Sequence, residues 1–107
     1  MELAPARRAE TRVRKFSIYD DNGPIDLSTV TEILMFYRTS GSDTWSILST
    51  EDNDPMLTIS NPSAGEVTLT PTILLWAVAT TYELYFQLIA SGLFAPSTDM
   101  LTIVVGE

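Results

Sequence analysis

Between residues 82 and 89 the chain alternates. Tyr82, Leu84, Phe86 and Leu88 fall on one side, and Glu83, Tyr85, Gln87 and Ile89 on the other. A period of two, carried by aromatic and large aliphatic residues, predicts a strand with one face in a core. The same period recurs along the chain. Arg14, Phe16 and Ile18 alternate with Val13, Lys15 and Ser17 over 12–19, and Trp45 and Ile47 are in phase over 44–50. Leu57 and Ile59 are in phase over 56–60, Val67 and Leu69 over 66–70, and Leu101, Ile103 and Val105 over 100–105. Residues 31–38 differ. Ile33, Met35 and Tyr37 form one face, but Leu34 and Phe36 make the other face apolar as well. A strand apolar on both sides is covered on both. The pattern therefore predicts a loop or another subunit over Leu34 and Phe36.

Turn signals separate these runs: Asn22-Gly23-Pro24, then "TSGSD", "EDNDP", "NPSAG" and "SGLFAPSTD". Glycine accepts positive φ and proline fixes φ, so each marks a reversal. About seven short strands spaced by roughly 8 to 12 residues predict an all-β antiparallel sandwich. Residues 1–11 are polar, include Pro5, and read as an extended N-terminal arm; residues 12–107 read as a single β-sandwich domain.

The longest apolar run, residues 73–90, raises the question of a membrane span. Its 18 residues include Thr80, Thr81, Glu83 and Gln87. A span needs about 20 predominantly apolar residues, and an unpaired Glu83 near mid-bilayer is costly. The run is read instead as a corner over 72–79, following Thr70-Pro71, and then the strand. Tyr82, just after that corner, fits the tyrosine corner of Greek-key sandwiches, its hydroxyl bonding back to the corner backbone.

Composition narrows the chemistry. Among 107 residues there is no cysteine and no histidine. A disulfide, a thiolate site and the usual general base near neutral pH are all absent, and no serine lies in a nucleophile-elbow context. The reading is not an enzyme. The first 15 residues hold no apolar h-region, and Asn61-Pro62-Ser63 carries proline in the forbidden sequon position. A cytoplasmic site of synthesis is expected. Asp20, Asp21, Asp26, Glu51, Asp52 and Asp54 fall in predicted loops and read as solvated acids. Asp20, Asp21 and Asp26 leave room for a weak loop calcium site, although the EF-hand spacing fails because Ile18 stands where the first aspartate belongs.

The net charge of −8 is uneven. Residues 1–15 carry Arg7, Arg8, Arg12, Arg14 and Lys15 against Glu2 and Glu10, a net +3; residues 16–107 carry Arg38 against twelve acids, a net −11. Such a body repels nucleic acid, while the basic segment is drawn to acidic surfaces, including another copy of the body. The alternative is that these cations are solvated positions on a first strand. Trp45, Trp76 and Phe94 could form a carbohydrate-stacking platform, but core or corner packing is the preferred reading of the two tryptophans.

Several pieces fall in a recognisable order: "IYDDNGPIDLSTVTEILMFYR", "ISNPSAGEVTLTP", "TTYELYFQL" and "STDMLTIVV". Together they resemble the immunoglobulin-like β-sandwich of tailed-bacteriophage virion proteins, and are similar to the N-terminal domain of the upper baseplate protein family. The likeness spans about residues 12–105 and rests on Asn22-Gly23, Asp26-Leu27-Ser28, Val30 to Phe36, Gly65 to Pro71, Tyr82 to Phe86 and Thr102 to Val105. Thr81 replaces the glycine usual before the late tyrosine, and family members often continue into host-binding parts, so receptor binding is not carried over.

The resemblance implies a structural virion component of a tail, baseplate or neck, bound to other virion proteins and to copies of itself. No cofactor, metal, nucleic acid, membrane or small-molecule substrate is expected. The expected contacts are the basic residues Arg7, Arg8, Arg12, Arg14 and Lys15, with an apolar patch at Leu34 and Phe36 or the loop bearing Leu93 and Phe94. A capsid decoration or cement protein, and a carbohydrate-binding host-attachment module, are the alternatives.

Overall fold

The computed structural model describes residues 3–20, 23–90, 93–94 and 100–107, with only the backbone of Asp20, Leu93 and Phe94. Its strands are β1 (Ala6–Arg7), β2 (Arg14–Ser17), β3 (Tyr19–Asp20), β4 (Gly23–Pro24), β5 (Glu32–Thr39), β6 (Ser46–Ser49), β7 (Leu57–Asn61), β8 (Glu66–Leu69), β9 (Thr81–Ala90), β10 (Leu93–Phe94) and β11 (Leu101–Gly106). A single 3₁₀ turn, Pro62–Ala64, is the one helical element among the described residues.

Two sheets face each other. The larger runs β1-β11-β9-β5-β6, with β10 also paired to β9; the smaller runs β2-β8-β7. Every pairing in them is antiparallel except that of β1 with β11. This is the immunoglobulin-like arrangement, with the chain crossing between the two sheets from β1 to β2, β2 to β5, β6 to β7 and β8 to β9. The expected all-β sandwich is therefore the fold, and each expected strand is present within two residues of its predicted ends.

The period of two explains the interior. Ile33 and Met35 of β5, Leu84 and Phe86 of β9, Ile103 of β11, and Val67 and Leu69 of β8 all point between the sheets and are buried. Phe16 of β2 meets Phe86 across the gap, ring centres 5.3 Å apart. The 72–79 segment is the corner expected: Trp76 is fully buried against Tyr82, and the Val78 N–H donates to the Tyr82 hydroxyl at 3.2 Å. Gly65 closes the 3₁₀ turn at φ 67°, and a Cβ there would lie 2.7 Å from the Ile18 carbonyl. Only glycine meets both demands.

The N-terminal segment is extended, and it lies along its own domain. Ala6 and Arg7 pair with Val105 and Gly106; the Leu3, Arg8 and Ala9 N–H groups donate to Thr102, Gly106 and Trp76 carbonyls. It buries Ala6 in the core and packs Leu3 against it, but a strand of two residues is too short for the period of two to register.

Candidate functional site

The side of the large sheet that faces away from the core holds the most organised surface among the described residues. Alternation turns Leu34, Phe36 and Arg38 of β5 outward, and Glu83, Tyr85 and Gln87 of β9. Register then sets partners side by side: Leu34 with Gln87, Phe36 with Tyr85, Arg38 with Glu83, and Ile47 of β6 with Phe36. Directly opposed residues on a sheet face sit close enough for their side chains to interact.

Here they do. The Phe36 and Tyr85 rings stack with centroids 4.8 Å apart and planes 6° apart. Trp45 meets Tyr85 edge-on at 5.0 Å. The Arg38 guanidinium lies 4.2 Å above the Trp45 ring, donates from Nε to Glu83 Oε1 at 3.0 Å, and donates from Nη1 to the Ser42 carbonyl at 3.1 Å. Each aromatic pair contributes about 0.5–1.5 kcal/mol beyond burial, and a cation over a ring about 0.5–1 kcal/mol at an exposed position. These contacts hold four side chains in one arrangement while leaving them half-buried rather than covered. Leu34 and Phe36 lie beside Gln87, Ser49, Tyr85 and Ile47 of the neighbouring strands and stay half-buried. Ile47 remains exposed.

The arrangement is a fixed apolar platform with one ion pair. It offers contact area at low entropic cost, because its side chains are already ordered. At its upper edge the Ser49 hydroxyl donates to the Glu32 carboxylate, the Ser49 N–H donates to Asp52 Oδ2 at 2.9 Å, and the Glu51 N–H donates to Ser49 Oγ at 3.0 Å. The carboxylates here cap a turn, and no group of three or more metal-ligating side chains occurs among the described residues.

The basic residues divide. Arg14 is nine-tenths buried: Nη1 donates to the Ala4 carbonyl at 2.8 Å, Nη2 to the Pro5 carbonyl at 2.9 Å, and Nη2 also reaches Glu10 Oε1 at 3.2 Å. It clips the N-terminal segment to β2 and is held within the fold. Arg8 reaches Glu107 at 3.2 Å, Arg12 reaches Glu10 at 3.8 Å and the Pro5 carbonyl at 3.1 Å, and Lys15 reaches Glu66 at 4.0 Å. These three, with Arg7, stay exposed. The side chains of Leu93 and Phe94 lie outside the described residues, as do Asp21 and the side chain of Asp20; the backbone of 93–94 pairs with Ile89 and Ala90. Asp26 accepts the Ser28 N–H at 2.9 Å, which holds its carboxyl below its ordinary pKa and makes it a turn residue.

No family model matches this chain, and no curated protein matches it. The platform must be read from its own chemistry, since one sandwich hosts many functions.

Sequence reasoning reached Leu34 and Phe36 but not Tyr85, Arg38, Ile47 or Glu83. Trp45, expected in the core or a corner, stands on the outer face instead; Trp76 is the buried one. A usable signal was present. The outward side of 82–89 contains Tyr85 and Ile89, two large residues in phase with each other, and Tyr85 faces Phe36 across the strands.

Proposed function

We propose that this protein is a structural component of a tailed-bacteriophage virion, placed in the tail, baseplate or neck, and that it acts through protein–protein contacts during particle assembly. The platform of Phe36, Tyr85, Trp45 and Arg38 is the observation that carries this reading. Stacked aromatics with an arginine, flat and already ordered, match the composition of protein contact cores. The immunoglobulin-like sandwich agrees with the fold that the resemblance implies, and the absence of histidine and cysteine from the sequence agrees with a non-enzymatic role.

The test has two steps. Mass spectrometry of purified particles should find this chain at a fixed ratio to the other virion proteins, and its absence from DNA-filled particles sinks the proposal. A Phe36→Ala/Trp45→Ala variant should then fold yet lose about tenfold or more in incorporation, as expected for contact-core aromatics. Electron cryomicroscopy of the same particles separates a tail location from a capsid decoration.

A carbohydrate-binding role is the second reading, and the outward Trp45 favours it, because exposed tryptophan rings stack on sugars. Titration of the protein with host-surface oligosaccharides, followed through the Trp45 indole resonance, distinguishes it from the first.

A further inference from the structure

Topology sorts the charges by end. The lower end, where β9 begins, holds the N-terminal segment, the 70–80 corner and the start of β2. The upper end, where β9 finishes, holds the turns around Asp26, Glu51 and the 3₁₀ element. Arg7, Arg8, Arg12, Arg14 and Arg38 lie at the lower end with Glu10, Asp43, Glu83 and Glu107, five cations against four anions. Asp26, Glu32, Glu51, Asp52 and Glu66 lie at the upper end, with Lys15 the one cation near them among the described residues; Asp54, on the segment that runs from Ser49 at the upper end down to Leu57 beside Leu69, lies between the ends and is counted at neither. The molecule is 38 Å along its longest axis. Its two ends thus carry opposite tendencies, about +1 and about −4 by this count, over more than a Debye length at physiological salt.

The lower end is also where apolar surface is exposed. Leu74 is 78 % exposed, Ile73 61 % and Val78 54 %, on the same corner whose Trp76 carbonyl receives the Ala9 N–H. That hydrogen bond sets the exposed Arg8 and the following residues, including Arg12, beside the corner. Apolar residues left open on a turn that the fold otherwise seals with Trp76 and Tyr82 add nothing to the core, and clustered exposed apolar side chains mark contact surfaces.

We propose that copies of this chain join head to tail, the lower end of one, with Ile73, Leu74 and Val78 ringed by Arg7, Arg8 and Arg12, seating on the acidic upper end of the next. This deepens the assembly role and rests on it. Charge selects the polarity: two upper ends repel, and only the lower end meets an upper end with opposite sign. Pro24 and the half-buried Ile25 and Val30 at the upper end supply apolar surface for the corner. A contact between two different patches is heterologous, so it propagates into a ring or a filament rather than stopping at a dimer.

Sedimentation of the purified full chain tests it. The wild-type protein should grow in mass with concentration at about 0.01 M salt and return to monomer near 1 M, where the Debye length falls from about 30 Å to about 3 Å. Arg7→Glu/Arg8→Glu/Arg12→Glu should be monomeric at both salts, as should Asp26→Lys/Glu51→Lys/Glu66→Lys, each with the wild-type circular dichroism spectrum. Mixing the two variants should restore association, because each supplies the end that the other's reversed end needs. A wild-type protein that stays monomeric at low salt, or a mixture that associates no better than its components, overturns the head-to-tail contact. Neither result touches incorporation into particles, which is measured separately, so the two ideas fail independently.

Discussion

The two faces of β5 and β9 are built from similar residues and end in different states. Inside, Ile33, Met35, Leu84 and Phe86 are almost wholly removed from water and pack against the opposite sheet. Outside, Leu34, Phe36 and Tyr85 are also large and largely apolar, but their partners among the described residues are sheet neighbours and the Trp45 ring from the adjoining turn. The inner face is complete in one chain. The outer face is ordered by stacking and by the Arg38–Glu83 pair, yet retains surface that the chain itself leaves open. Apolar side chains held still without being covered give up little entropy when a partner covers them. The difference separates what the fold needs from what a contact could use.

Paired truncations test that separation most strongly. Phe86→Ala removes a fully buried ring that contacts Phe16 and should destabilise the domain by about 3–5 kcal/mol. Phe36→Ala removes a half-buried ring and one stack, and should cost under about 2 kcal/mol. Chemical denaturation of both variants gives the two values. Equal losses would mean that the outer face is as integral to folding as the core, and the comparison would collapse.

The two structural arginines repeat the contrast on a smaller scale. Arg14 is buried, bonds two carbonyls of the N-terminal segment and pairs with Glu10. Arg14→Ala leaves the Ala4 carbonyl without its donor, and leaves the Pro5 carbonyl and the mostly buried Glu10 with the exposed Arg12 alone; it should cost about 2–4 kcal/mol, with the segment 3–10 losing amide protection first. Arg38 on the outer face bonds Glu83, Ser42 and the Trp45 ring, but water reaches all of them. Arg38→Ala should cost about 1 kcal/mol or less and chiefly release Trp45, which fluorescence anisotropy reports. A larger loss for Arg38 than for Arg14 would reverse the assignment of which cation the fold depends on.

Much of the fold was legible because it depends on the period of two. Phe16, Met35, Leu57, Val67, Phe86 and Ile103 sit inside as alternation predicts, and Tyr82 bonds the corner as its position predicts. What stayed hidden depends on register. Nothing local in "TEILMFYR" says that Phe36 will face Tyr85, or that Arg38 will face Glu83, 45 positions further along the chain. The pairing follows from where the strands align, which the corner and the turns set together. The N-terminal segment was misjudged in one respect for the same reason. A run of cations reads as a reaching arm until Arg14 is seen to fold back on Ala4, Pro5 and Glu10. Segregation of the remaining charges to opposite ends is likewise a property of topology, since Glu32 and Glu83 lie on adjacent strands yet at opposite ends of the domain.

Tyr37 offers the smallest and most specific test, because it lies on the inward side of β5 near the rim, between the two environments. Burial raises its phenol pKa, and a hydrogen bond from the Ser46 side chain partly opposes the shift. The sign follows from which state ionises first. Below about pH 10 the phenol is protonated both folded and unfolded, and its contribution to stability is fully present. As pH rises further the unfolded chain releases the proton first, so stability is lost progressively towards the raised folded pKa. Denaturation midpoints should therefore fall between about pH 9 and about pH 11 in the wild-type protein, where tyrosines titrate, and fall less steeply in Tyr37→Phe. The partial exposure of the ring keeps the difference modest. Parallel curves for the two proteins would place Tyr37 in an environment as wet as the outer face, and the boundary between the two sides of the strand would have to be drawn closer to Met35.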